Sequence, residues 1–179
     1  SAFGDARLYK TLSEIVTPYA ILTLTCLLLL LAVGARPLDA FLASTAALST
    51  NGFVPTLSGG SIFNSVSAEL IFLVFMIIGG TSIIWHKMIV TRRFQLAWQE
   101  HKESVSAIGL ILAIAAGLFI YNTSFSQTEI GFLRFVFDVA ATMTTSGVVH
   151  NASLGSSVPL LFAMMLAIGG ATTFSTSGG

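Results

Sequence analysis

Charge is what this sequence has least of. Eight Lys and Arg and eight Asp and Glu are spread over 179 residues, 9% in all, whereas soluble domains carry nearer a quarter. So few charges cannot cover a water-facing surface, which argues against a soluble interaction domain. The formal net charge of zero leaves no basic footprint, so nucleic acid is not an expected partner. Cysteine is nearly missing too. Cys26 stands alone in an apolar run, which excludes a disulfide frame or a cysteine metal site within one chain. It reads as a small packed side chain. A cleavable leader is not expected either, since residues 1–14 are mixed polar. There is no Ser-His-Asp set, nucleotide loop or pair of catalytic carboxylates, so enzyme chemistry is not expected. His86, His101 and His150 fall on different segments and do not suggest a metal site.

What the chain has is apolar surface: 54% of its residues are hydrophobic and the mean hydropathy is +0.87. An all-α integral membrane protein, in contact with lipid, is the expected class. A first apolar run covers about residues 15–35 and includes "YAILTLTCLLLLLAVGA". A helix of about 20 residues rises about 30 Å, enough to cross a bilayer core. Arg36-Pro37 ends it, because proline disfavours helical geometry in the residue before it. Residues 38–49, "LDAFLASTAALS", suit a helix too short to span, which suggests a re-entrant segment. It leads into a polar turn over residues 49–53: Ser49, Thr50, Asn51, Gly52 and Phe53. A second long run, about 68–90, carries Gly79-Gly80 near its middle.

The pattern then recurs. After a linker at 91–103 come a spanning run at about 104–121 and a short helix at 129–143. A second polar turn follows at 144–148: Thr144, Thr145, Ser146, Gly147 and Val148. An inner helix at about 157–170 ends on Gly169-Gly170. Residues 1–90 and 104–179 therefore read as two copies of one unit. The turns align without gaps, Ser49 over Thr144 and Gly52 over Gly147, with Leu42 over Phe137 and Ala46 over Ala141 upstream.

Charge gives the orientation. Lys87, Arg92, Arg93 and Lys102 cluster after the second run, and Arg7 and Lys10 precede the first. Both regions fall on the cytoplasmic side only if the short helices dip in and out. Residues 87–102 are then cytoplasmic and both turns enter from outside. Trp85 and Trp98 read as interface anchors. Irregular backbone at membrane depth is tolerated where protein buries it or it lines a water-filled path. Backbone carbonyls and Ser/Thr hydroxyls can replace the hydration shell of K⁺. Glycine permits the backbone angles that direct carbonyls inward, and the short helix points its negative end at a cation.

Helix, short helix, "STNGF" or "TTSGV", then a second helix with a Gly-Gly pair resembles the Trk/Ktr/HKT superfamily of potassium transporters, in particular the membrane subunit of the bacterial Trk branch. "MIIGGTSIIWHKMIVTRR" and "IGGATTFSTSGG" resemble the ends of two of its four repeats. The resemblance implies tandem repeats of transmembrane helix, re-entrant pore helix, filter loop and transmembrane helix. It also implies K⁺ as the transported ion with no cofactor, and a bacterial inner-membrane location. Ser49, Thr50, Asn51, Gly52 and Phe53 would form one part of the K⁺ filter. Thr144, Thr145, Ser146, Gly147 and Val148 would form another. An intramembrane gate loop would run from 169 to 179, including Gly169, Gly170, Ala171, Thr172, Ser175, Thr176, Ser177, Gly178 and Gly179. Family members bind a cytosolic nucleotide-binding regulatory subunit, for which the linker would be the docking surface.

Two features depart from the pattern. There are two repeats, so the chain is expected to be a fragment, the other option being a second copy that completes the ring. Val148 and Val149 follow the second glycine, where a larger residue is usual. The alternative function is a non-conducting membrane subunit that docks a cytosolic partner. Among the acids, Asp39 suits the start of the first short helix, Glu69 reads as interfacial, and Asp138 pairs with Arg134 four residues earlier, the other reading being attraction of cations to the outer mouth.

Overall fold

A computed structural model describes residues 2–52, 63, 65–81, 102–125, 130–150 and 156–170. Phe53, the second half of the run at 68–90, nearly all of the linker and the gate residues from Ala171 onward lie outside the described residues. Those described form six helices and no strand: α1 (Ala2–Ala32), α2 (Pro37–Ser49), α3 (Val66–Gly79), α4 (Lys102–Phe125), α5 (Phe132–Met143) and α6 (Leu160–Gly169).

The helix ends follow local chemistry. Pro37 opens α2 at a position where its missing N–H costs nothing. The Ser65 hydroxyl caps α3 by accepting from the Ala68 N–H at 3.2 Å. Gly131 precedes α5, which therefore starts three residues later than residue 129. Pro159 precedes α6 and delays it to Leu160. At the other extreme, α1 reaches back to Ala2 and α4 runs on to Phe125, both beyond the apolar runs that define them in sequence.

α1 and α4 are long and apolar enough to cross a membrane. Much of their apolar surface faces outward: Leu24, Leu28, Leu110 and Ile120 are all exposed. That is the inverse of a soluble fold and suits lipid as the surrounding solvent. The two short helices do the opposite. α2 buries Ala40, Ala43, Ser44, Ala46, Ala47 and Leu48, and α5 buries nearly everything from Phe135 to Ala141. α2 packs on α1 and α3, α5 packs on α4 and α6, and α3 packs on α5 to join the two units. The joint is aromatic. Phe72 of α3 stacks on Phe137 of α5 with ring centroids 6.0 Å apart, and Phe63 leans on both. Beneath them Met76 is fully buried.

Candidate functional site

Both polar turns sit at the C-terminal end of a short buried helix, and both have the same backbone. Thr50 lies at φ 49° and Thr145 at φ 55°, while Gly52 lies at φ 72° and Gly147 at φ 64°. A β-branched residue with positive φ is a genuine outlier, and such strain is concentrated where function requires it. Here the outlier occurs twice, at positions that align in sequence. In each turn a left-handed residue, a residue of ordinary hand and a left-handed glycine follow one another. Alternating hand turns successive peptide groups the same way, with carbonyls along one side of the chain and N–H groups along the other. A strand would point them alternately to opposite sides.

The second turn shows how the sequence closes it. The Thr144 N–H donates to the Ala140 carbonyl at 2.8 Å, that of Thr145 to Thr142 at 3.1 Å and that of Gly147 to Ala141 at 3.1 Å. The last carbonyls of α5 are thereby satisfied by the turn itself, a left-handed helix stop. The side-chain hydroxyls are engaged as well. Thr144 donates to the Ala140 carbonyl at 2.8 Å. The Ser146 hydroxyl lies 3.2 Å from the Ala141 carbonyl and 3.1 Å from the Met76 sulfur. In the first turn Ser49 donates to Thr45 at 2.6 Å and Thr50 to the Ser49 carbonyl at 2.9 Å. These hydroxyls brace the turn by bonding to nearby backbone carbonyls.

The turns also meet. A Cβ on Gly52 would run into the Ser146 carbonyl oxygen of the other turn. Gly52 thus serves two needs at once, positive φ and close approach. Gly79 has a different task. A Cβ there would stand 2.7 Å from the Ala47 carbonyl oxygen and 2.8 Å from that of Leu48. The glycine lets α3 press onto the end of α2 just before the turn.

Two acidic side chains matter more than the sequence indicates. Asp138 is 1% exposed, and its Oδ2 accepts from the Ser157 N–H at 2.6 Å and from the Ser157 hydroxyl at 2.7 Å. Arg134 stands farther off, its Nε 3.9 Å from the same oxygen, so the helical pair is the minor contact. Glu69 is buried within the protein, and its Oε1 lies 2.8 Å from His150 Nε2. Both contacts join segments distant in sequence, which no local pattern reveals. Asp39 does occupy the first turn of α2. Gly169 closes α6, and Gly170 follows at φ 64°. An open cleft of about 330 Å³ lies between α5, the second turn and α6, lined by Thr142, Thr145, Gly147 and Met164 among others.

No protein-family model matches the chain. Over 180 aligned residues it is 28% identical to the "Trk system potassium uptake protein TrkH" of Halomonas elongata, covering 97% of this chain and 36% of that protein. Its fold matches the crystal structure of the potassium transporter TrkH from Vibrio parahaemolyticus with a TM-score of 0.72 and 21% identity, over 99% of this chain and 38% of that one. The chain therefore spans little more than a third of the length of either protein. In sequence and in all-helical fold alike, it is similar to part of a Trk-type potassium transporter.

Proposed function

We propose that the chain forms half of a four-part K⁺ pathway, with each turn contributing one side of a filter of backbone carbonyls. One observation carries this reading: two aligned turns share the same left-handed backbone and touch at Gly52 and Ser146. A hard cation needs several oxygens around it at once, and two turns in contact can supply them from opposite strands. The negative ends of α2 and α5 add a field that favours cations. The likeness to a potassium uptake protein supports K⁺ as the ion. The remaining repeats would come from the rest of a longer protein, in the bacterial inner membrane with the turns facing outward and residues 87–102 in the cytoplasm. The segment from Gly169 to Gly179 would act as gate, and the basic linker would meet a cytosolic nucleotide-binding regulatory subunit.

The test is K⁺ uptake by the full-length protein in cells lacking their own K⁺ uptake. Gly52→Ser and Gly147→Ser should each lower the K⁺ over Na⁺ preference. Uptake and preference unchanged in both variants would overturn the filter reading.

A further inference from the structure

The chain that leaves the second turn runs along a helix of the other repeat. Ser146 meets α3 at Met76, with 3.1 Å between the hydroxyl oxygen and the sulfur. Four residues on, His150 Nε2 stands 2.8 Å from Glu69 Oε1, also on α3. Glu69, Phe72, Leu73 and Met76 are all buried and recur at helical spacing, so they share one face of α3. Positions 69 and 76 are separated by about 10.5 Å of helix rise, and four residues of chain reach at most about 14 Å. Residues 146–150 therefore follow this face from Met76 back toward the start of α3.

We propose that Glu69 is a positioning residue for the second turn, holding its exit against α3 of the first repeat through His150. The inference rests on reading the turns as an ion pathway. Burial gives Glu69 this role. It is 7% exposed, and an acidic side chain withdrawn from water needs a polar partner. The imidazole nitrogen at 2.8 Å is that partner. The His150 ring also stands edge-on to Phe137 of α5, with ring centroids 5.6 Å apart. Phe137 in turn stacks on Phe72 of α3, so His150 is held between two helices that are themselves packed together. The Met76 contact at Ser146 is made by a flexible thioether and fixes the register less strictly. His150 lies three residues beyond Gly147, and displacing it carries the backbone of residues 147–149 with it. The tie has a direction. Turn register sets Pro55 against His150, and Gly-Gly register sets Pro159 against Glu69. Proline has no polar side-chain atom, so the matched positions cannot form the same tie the other way round. At this contact the first repeat governs the second turn.

The experiment compares wild type, Glu69→Gln, Glu69→Ala, His150→Ala and the double alanine variant in the full-length protein. The K⁺ over Na⁺ preference of uptake is measured at one fixed pH, and the unfolding temperature is read on the same variants in detergent. Each alanine variant should lower the preference at least about fivefold, and the double should fall no further than the worse single. Glu69→Gln keeps an oxygen at the same reach and should keep most of the preference. A preference unchanged in the alanine variants, whatever their unfolding temperature, would leave Glu69 a purely structural group and overturn the proposal. An additive double overturns it as well. So does a loss in Glu69→Gln as deep as in Glu69→Ala, which would mean that the charge acts on the ion directly. If the alanine variants fail to fold, Glu69→Met and His150→Phe keep the bulk without the polar contact and are judged by the same preference. If Gly52→Ser and Gly147→Ser leave transport untouched, the pathway reading has failed on its own. Unfolding then decides whether Glu69 holds the second turn through His150: coupled losses support it and additive losses overturn it.

Discussion

The two repeats share a backbone and differ in how it is held. In the first, α3 is pressed onto the end of α2 through Gly79, with no room for a methyl group. In the second, Gly169 aligns with Gly79 but has nothing among the described residues within 4 Å of its missing Cβ, and the cleft opens between α5 and α6. The first turn is supported by helix packing. The second is supported by polar ties, Ser157 to Asp138 and His150 to Glu69. The same strained turn can thus be stabilised by apolar contact or by charge.

Substitutions at matched positions should break this contrast unequally. A large difference is expected at the Gly-Gly pairs. Gly79→Ala forces a methyl group against two backbone carbonyls and should cost about 1–3 kcal/mol, whereas Gly169→Ala should be neutral within about 0.5 kcal/mol. Thermal unfolding in detergent measures both, and equal losses would erase the contrast. Next comes Asp138→Ala, which leaves the Ser157 N–H without its carboxylate. A loss of about 2 kcal/mol is expected, against about 1 kcal/mol for Ser157→Ala, which removes the hydroxyl alone. The turn glycines form a third matched pair and should differ at least as much as the Gly-Gly pairs. Gly52→Ala and Gly147→Ala both put a Cβ at positive φ, which costs about 1–2 kcal/mol. Only Gly52 also meets the Ser146 carbonyl, so its variant should lose more K⁺ preference in uptake assays.

Much of this was legible in the chain. Run length separates α1 and α4, which can span, from α2 and α5, which cannot. The aligned glycines mark both turns. Helix starts were less legible, because Gly131 and Pro159 set them by backbone preference while the apolar pattern runs through. Glu69 shows the larger limit. Its neighbours on α3 mark a helix start near an interface, but its partner lies on the far side of α4 and α5 in sequence. Asp138 is similar: Arg134 at helical spacing was visible, and the shorter contacts to Ser157 required the folded chain. The role of Gly79 depends on the carbonyls of Ala47 and Leu48, and sequence offers no sign of which backbone a glycine admits.

The contact between Gly52 and Ser146 has a mechanical side. Each turn forms part of the surface that the other rests on, so neither can press inward without displacing its neighbour. Bringing them closer is a joint movement of two loops fixed to different helices, α2 through its last residues and α5 through Ala141. The spacing of the two turns is thus a shared property, set wherever α3 and α5 are pushed together or apart.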